Sequence, residues 1–218
     1  MKTKIKEFFT SIQGEGPYIG YKQLFIRFCG CNLNCRYCDT DFSAENAEEY
    51  SARELINVCN QNLDCHSVSL TGGEPLLNLD FLKEFIPLSP LPVYLETNGT
   101  LYENLKEVVN GITYIASDIK LPSCAGIEER WDIHDKFFEI ANNKILFAKA
   151  VFDENITDEE IKNLSNLCLK YEIELILQPK TAGNTPAVSS TFVLSLLNRF
   201  KYKKVRVIPQ VHKFLGIE

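Results

Sequence analysis

The chain has 218 residues, of which 45% are hydrophobic and 24% charged, and it carries a formal net charge of −6. It is long enough to bury a substantial core, and its composition is that of an ordinary globular protein. No stretch approaches the roughly 18 apolar residues of a membrane span, and the densest basic segment is only Lys201-Tyr202-Lys203-Lys204, which excludes an extended nucleic-acid footprint. A small anionic substrate stays open, because local arginines and lysines decide that.

Met1-Lys2-Thr3-Lys4 leads straight into a strand-like run with no signal segment, so the 8 cysteines read as reduced thiols of a cytoplasmic protein rather than a disulfide framework. Ile5 to Phe9 predicts a short strand. Ser11-Ile12-Gln13-Gly14-Glu15-Gly16-Pro17 follows, a glycine-rich loop with one amide and one carboxylate. Locally it reads as a hairpin turn, although its glycines also let a backbone approach a ligand closely. Tyr21 to Phe28 predicts a buried strand with one charge, Arg27. Such an arginine is either held in a structural ion pair or faces a ligand carboxylate, and the residues leave both open.

That strand runs into Cys31-Asn32-Leu33-Asn34-Cys35-Arg36-Tyr37-Cys38-Asp39-Thr40, with a C-x3-C-x2-C spacing. A strand ending in a short loop can turn three thiolates toward one point. On a four-iron cluster, three cysteine ligands leave one iron open to a small molecule such as S-adenosylmethionine (SAM). Two alternatives remain: a zinc knuckle that adds Cys29, and plain structural thiols. Cys29 alternates with Ile26-Arg27-Phe28 and is expected to pack as a small hydrophobe.

Ser51-Ala52-Arg53-Glu54 is a capping box, with Leu55, Val58 and Cys59 on one face of a helix over 51–62. Ser67 to Leu70 predicts a strand ending in Thr71-Gly72-Gly73-Glu74-Pro75, whose glycines present backbone groups to a ligand. The alternation repeats. A helix over 78–86 precedes Val93-Tyr94-Leu95, which ends in Glu96-Thr97-Asn98-Gly99. A helix over 101–109 precedes Ile112 to Ala116, which ends in Ser117-Asp118-Ile119-Lys120. Pro122 to Gly126 reads as a loop, 132–141 as helix and Lys144 to Phe152 as strand. Thr157-Asp158-Glu159-Glu160 caps a helix bearing Ile161, Leu164, Leu167 and Cys168 on one face. Glu174 to Leu177 is a strand ending in Gln178-Pro179-Lys180, then come a helix over 187–199, a strand from Lys204 to Ile208, and Pro209-Gln210-Val211-His212-Lys213. Strands and helices in this rhythm mean βαβ units and a parallel sheet. The expected fold is α/β, a partial open barrel of the (βα)6 type with six or seven units and polar clusters at the C-terminal strand edge, where such folds build sites. No linker divides residues 1–218, so a single domain is expected.

The chain resembles the 7-carboxy-7-deazaguanine synthase family of the radical SAM superfamily. The resemblance is carried by Ser11-Ile12-Gln13-Gly14-Glu15-Gly16, Phe25-Ile26-Arg27, the cysteine loop, Thr71-Gly72-Gly73-Glu74-Pro75, Glu96-Thr97-Asn98-Gly99, Ser117-Asp118-Ile119-Lys120 and Pro209-Gln210-Val211-His212-Lys213. It implies Cys31, Cys35 and Cys38 as ligands of a [4Fe-4S] cluster, and Tyr37 beside the SAM adenine. Gly73, Ser117 and the Gln178-Pro179 turn look like SAM contacts, with Cys38, Asp39, Glu74, Asp118 and Ile119 in the same set. Ile12, Gln13, Gly14, Arg27 and Thr71 resemble the substrate set, with Glu15 and His212 close by, and Thr40 resembles the residue offering an oxygen to Mg²⁺. The implied reaction is a SAM-dependent contraction of 6-carboxy-5,6,7,8-tetrahydropterin to 7-carboxy-7-deazaguanine with loss of ammonia, feeding queuosine and related 7-deazapurines. The resemblance also implies a homodimer and an electron donor such as flavodoxin or ferredoxin, with no nucleic-acid or membrane partner.

Two rivals share part of this pattern, a radical SAM activase that installs a glycyl radical on a partner protein and a non-catalytic metal-binding module. The Gln13-Gly14-Glu15-Gly16 loop and Arg27 speak against the first, and the polar residues after every strand against the second. The chain departs from the family at its end. Some members reach into the site with a terminal carboxylate, often of proline, whereas this chain ends Phe214-Leu215-Gly216-Ile217-Glu218. His66 and His134 lack a motif and read as structural or solvated.

Overall fold

A computed structural model describes residues 1–217, so the Glu218 carboxylate lies outside the described residues. β1 (Lys2–Ile12) pairs antiparallel with β2 (Lys22–Phe28) on one side and with β3 (Glu48–Ser51) on the other. β2 then starts a parallel series with β4 (Ser67–Gly72), β5 (Val93–Thr97), β6 (Tyr114–Asp118), β7 (Ile145–Phe152) and β8 (Glu174–Pro179). A small hairpin of β9 (Thr181–Ala182) and β10 (Thr185–Pro186) stands apart, and β11 (Val205–Val207) closes the series beside β8. The order across the sheet is β11-β8-β7-β6-β5-β4-β2-β1-β3. The α/β reading and the parallel core hold. The hairpin turn read after β1 joins β1 and β2 antiparallel, and β3 is the strand not expected, because Glu48-Glu49-Tyr50-Ser51 has no apolar alternation to announce it.

The crossovers carry α1 (Ala52–Asn60), α2 (Leu79–Phe85), α3 (Tyr102–Val108), α4 (Pro122–Ala125), α5 (Trp131–Ala141), α6 (Asp158–Lys170) and α7 (Ser190–Arg199), and α8 (Val211–Leu215) follows β11. Both expected capping boxes form. Ser51 and Glu54 satisfy each other's backbone N–H groups at the start of α1, and Thr157 and Glu160 do so at α6. Glu160 also accepts the Ser123 N–H at 2.9 Å, tying α6 to α4. The segment expected as a loop after β6 is therefore a helical turn. Pro122 opens it where no N–H is needed, and Gly126 ends it at φ 71°.

The central strands are buried on both faces, as sheets covered by crossovers require. Their outward side chains pack with the helices into the main core, which includes Leu70, Leu95, Ile115, Ala148 and Leu175. The inward set forms a second, smaller cluster of Tyr94, Ala116, Phe147 and Ile176, floored by Tyr18 and Tyr114, whose rings lie 4.7 Å apart. Tyr18 belongs to the β1–β2 turn, which folds across the interior. Gly16 is needed there: its φ is 68°, and a Cβ would come within 2.8 Å of the Phe147 ring.

Cys59 and Cys168 are fully buried among the helices, and burial pushes each thiol up to about 12. Replacing either by Ala removes packing and no reactive group. Each variant is expected to lose about 1 kcal/mol in urea unfolding of the apo protein and to load iron as the wild type does.

Candidate active site

Because side chains alternate along a strand, every second residue of the parallel series points into the barrel. Low on each strand that residue is apolar, and one step nearer the C-terminal edge it is polar. Tyr94 is followed by Glu96, Ala116 by Asp118, Phe147 by Lys149, and Ile176 by Gln178. Gln13, Arg27, Thr71 and the cysteine loop complete a cavity of about 450 Å³.

Charge around Lys149 in this cavity is paired. Lys149 contacts the Glu15 carboxylate and lies 3.0 Å from Asp118 Oδ2, which Lys120 meets at 2.9 Å. Gln210 donates to Glu15 at 2.7 Å and Gln178 at 3.3 Å. Burial pushes the Lys149 ammonium down, but Asp118 and Glu15 outweigh it and hold the group above the ordinary lysine value. Burial likewise pushes Glu15 and Asp118 up, and their lysine partners outweigh it, so both carboxylates stay charged with lowered values. A second group centres on Glu96, which accepts from Gln13 Nε2 at 2.8 Å, Thr71 Oγ1 at 2.9 Å and Ser69 Oγ at 3.3 Å. Of the two readings its sequence left open, Arg27 makes the structural ion pair. It pairs with Glu7 at 2.5 Å, sits 5.3 Å from the Phe9 ring centre, and still lines the cavity.

Cys31, Cys35 and Cys38 line the opposite wall with Tyr37, Asp39 and Thr40. Burial raises the Cys31 thiol and pushes Cys35 up to about 11, values that a bound metal would reverse by holding the thiolate. Among the described residues no three His, Cys, Asp or Glu side chains sit close enough to share one metal ion. The donor set suits a multi-iron cluster instead: the Leu33 N–H reaches the Cys31 sulfur at 3.4 Å and Asn98 Nδ2 lies 3.9 Å from it, contacts of the kind that set cluster potential. The SAM side also fits. Asp118 Oδ1, Gln178 Oε1 and Tyr37 Oη are buried without a partner among the described residues, and Lys120 lies 5.4 Å from the Tyr37 ring. Cys29 does not line the cavity.

The Gly-Gly-Glu-Pro turn is stitched to the strand that carries the cysteines. Gly73 N–H donates to Phe28 at 3.1 Å and Glu74 N–H to Gly30 at 2.8 Å, and any Cβ on Gly73 would collide with the Gly30 carbonyl. The Glu74 side chain turns away from the cavity. Fully buried, it accepts from Leu76 N–H at 3.0 Å, Asn98 N–H at 2.8 Å and Thr97 Oγ1 at 2.9 Å, and burial pushes it up to about 7. Expected among the SAM contacts, Glu74 has its carboxylate committed to the turn and does not line the cavity. Ile12, Ser117, Ile119 and Pro179 also stand outside the cavity lining. Ile12 is the last residue of β1, and the other three alternate away from inward-facing Asp118 and Gln178, which fixes their side chains toward the helices.

The remaining expected residues, Gln13, Gly14, Glu15, Arg27, Tyr37, Cys38, Asp39, Thr40, Thr71, Gly73, Asp118, Gln178 and His212, are brought together. α8 achieves the last of these. Its Val211 N–H donates to the Gly14 carbonyl at 2.9 Å, Lys213 pairs with Asp39, and the His212 ring lies where a Gly14 Cβ would project. Lys149 and Glu96 were given no role from the sequence. Lys149 had a signal, a single charge inside Ile145-Leu146-Phe147-Ala148-Lys149-Ala150-Val151-Phe152, the same mark that singled out Arg27.

A profile of the radical SAM superfamily matches residues 25–168. The chain is 40% identical to a 7-carboxy-7-deazaguanine synthase of Geobacter sulfurreducens, over 98% of this chain and 97% of that protein. It is 36% identical to one of Archaeoglobus fulgidus, over 100% of both. Among solved structures, QueE from Escherichia coli superposes with a TM-score of 0.67 at 20% identity, over 97% of this chain and 95% of that one, a likeness of fold.

Glu15 and Asp118 have lowered values in the folded chain, so the stability they contribute is fully present above the ordinary carboxylate values and is lost only as pH falls below them, through the lowered values. Lys149→Met removes the ammonium they share. We expect a loss of about 3 kcal/mol near neutral pH, shrinking once the pH drops below 4.5, the ordinary glutamate value. Urea unfolding near neutral pH and well below the ordinary carboxylate values checks this, and an equal loss at both would mean that only packing had changed.

Proposed function

The chain belongs to the 7-carboxy-7-deazaguanine synthase family of radical SAM enzymes, and from that premise we propose that it converts 6-carboxy-5,6,7,8-tetrahydropterin to 7-carboxy-7-deazaguanine with loss of ammonia. One observation carries the reading: three loop thiols face an arginine, a buried lysine and two carboxamides across one cavity. Cys31, Cys35 and Cys38 would hold the [4Fe-4S] cluster, which with SAM supplies a 5′-deoxyadenosyl radical able to take hydrogen from C6 of the pterin.

The chain's own residues do the positioning. Gly72-Gly73 lines the cavity at the cluster side with backbone alone, while Tyr37, Asp118 and Gln178 supply the unpartnered polar atoms for SAM. Arg27 gives the substrate carboxylate a bidentate partner, and Glu7 keeps the guanidinium oriented toward the cavity edge. Glu96 holds the Gln13 and Thr71 side chains, so the Gln13-Gly14 segment meets the ring's amide edge in one fixed conformation. Glu15, fixed by Lys149 and Gln210, and His212 flank the same volume, and α8 bars water from that side. Glu74, Ser117, Ile119, Pro179 and Ile12 act through the backbone, as supports for the turns that carry the others.

Thr40 serves Mg²⁺ as a single protein oxygen, since this cation keeps most of its waters. The chain acts as one unit over residues 1–218, supported by the unbroken main sheet, and as a homodimer, supported by the family alone. A flavodoxin or ferredoxin delivers the electron from the side of Cys38, the exposed thiol of the three. Eight free cysteines suit a cytoplasmic setting, and no helix among the described residues is long and apolar enough to cross a membrane.

Anaerobic turnover with reductant, SAM and Mg²⁺ is expected to yield 7-carboxy-7-deazaguanine and 5′-deoxyadenosine. Release of 5′-deoxyadenosine only on adding a protein partner, with none of the deazaguanine, would instead mark an activase. Arg27→Met is expected to raise KM for the pterin by roughly ten- to a hundredfold, the cost of one charged hydrogen bond, with SAM binding unchanged.

Thr40→Val keeps the shape of the side chain and removes its oxygen. It is expected to lose the Mg²⁺ stimulation of turnover at full iron content, and an undiminished response to Mg²⁺ would remove Thr40 from the metal site.

A further inference from the structure

Asn98 is a buried polar side chain that the functional reading leaves without a role. It stands at the C-terminal end of β5 and is 5% exposed. Its backbone N–H is held by the Glu74 carboxylate at 2.8 Å, and its Oδ1 accepts from Thr100 N–H at 3.1 Å and Thr100 Oγ1 at 2.6 Å. With Oδ1 fixed in this way, the carboxamide has one orientation, and Nδ2 faces the cysteine loop. There it donates to Asn32 Oδ1 at 2.8 Å and lies 3.9 Å from Cys31 Sγ. Asn32 closes the ring by donating to Thr100 Oγ1 at 2.8 Å. A loop that otherwise has little regular structure is thereby fastened to the end of β5.

We propose that Asn98 is a positioning residue for the cluster, clamping the loop through Asn32 and donating to the Cys31 thiolate. The proposal rests on the reading of Cys31 as a cluster ligand. A donor at a ligand sulfur stabilises the more negative, reduced form and so raises the reduction potential. The clamp itself is rigid, because every polar atom of the Asn98 amide is committed, and Glu74 cannot release the backbone without stranding its own carboxylate in the core.

The test uses holoenzyme reconstituted anaerobically, with iron and sulfide content and the midpoint potential of the cluster as readouts. Asn98→Leu removes the donor while keeping water out, and Asn98→Met removes it with an unbranched, uncharged side chain. Both are expected to retain four irons and to show a lower potential. At the wild-type midpoint, the ratio of reduced to oxidised cluster should fall about two- to tenfold in Asn98→Leu, the range of an ordinary hydrogen bond. An unchanged or raised potential at full iron content overturns the proposal. Should Asn98→Leu lose its iron, Asn98→Met decides alone: a lowered potential supports the donor role, and an unchanged one, or iron loss there too, leaves Asn98 as a purely structural clamp and overturns it. Wild-type protein that binds no four-iron cluster would overturn the underlying ligand reading instead, so the two failures are told apart by the first measurement.

Discussion

Lys149 is placed inside the sheet by strand geometry, and the rest of the site answers to that placement. Strand β7 is apolar on both faces except at this one position, so folding the strand carries an ammonium group into a region with little water. An unpaired charge there would cost several kcal/mol. Glu15 comes from the β1–β2 turn and Asp118 from the end of β6, so satisfying Lys149 requires two distant segments to converge on it. Asp118 in turn takes Lys120, and Glu15 takes Gln178 and Gln210. Through these bonds the turn before β2, the ends of β6 and β8 and the segment before α8 are brought to one point.

The cysteine loop is held by a separate set of contacts. Gly73 and Glu74 lie against Phe28 and Gly30, so the turn after β4 and the exit of β2 advance together. Glu74 then reaches the end of β5, and Asn98 returns from there to Asn32 and Cys31. Three consecutive strand ends of the parallel series are thus cross-linked through buried hydrogen bonds around the place where the thiols emerge. Rigid support of this kind lets a loop with little secondary structure present its thiols in a reproducible way.

Two late elements turn an open barrel edge into an enclosed site. The β1–β2 turn floors it with Tyr18, at a point where only glycine at position 16 avoids Phe147. Helix α8 covers one side and is fastened at Gly14, Glu15 and Asp39, residues of the first strand's turn and of the cysteine loop. Because α8 touches both walls, substrate-side and cluster-side residues are held in a common frame by the chain's end.

Much was legible along the chain because it depends on local physics. Capping boxes at Ser51 and Thr157, βα rhythm, and glycine or polar residues after each strand are written in short windows and were enough for the fold class, while most of the cavity lining came from the family resemblance of the motifs at the strand ends. A lone charge on an apolar strand marked Arg27, and the same rule applied to β7 would have marked Lys149. What a window cannot contain is which distant group a side chain meets. Glu74 lies within a ligand-binding turn by motif, yet Thr97 and Asn98, more than twenty residues on, draw its carboxylate into the core. Ser117, Ile119 and Pro179 sit beside true cavity residues, and strand alternation alone sends them to the other face. The sequence by itself determined the elements and the chemistry available at their ends. Only the tertiary structure decided which of those groups share a volume, since pairing buried charges and filling both faces of a sheet are satisfied between segments far apart in the chain.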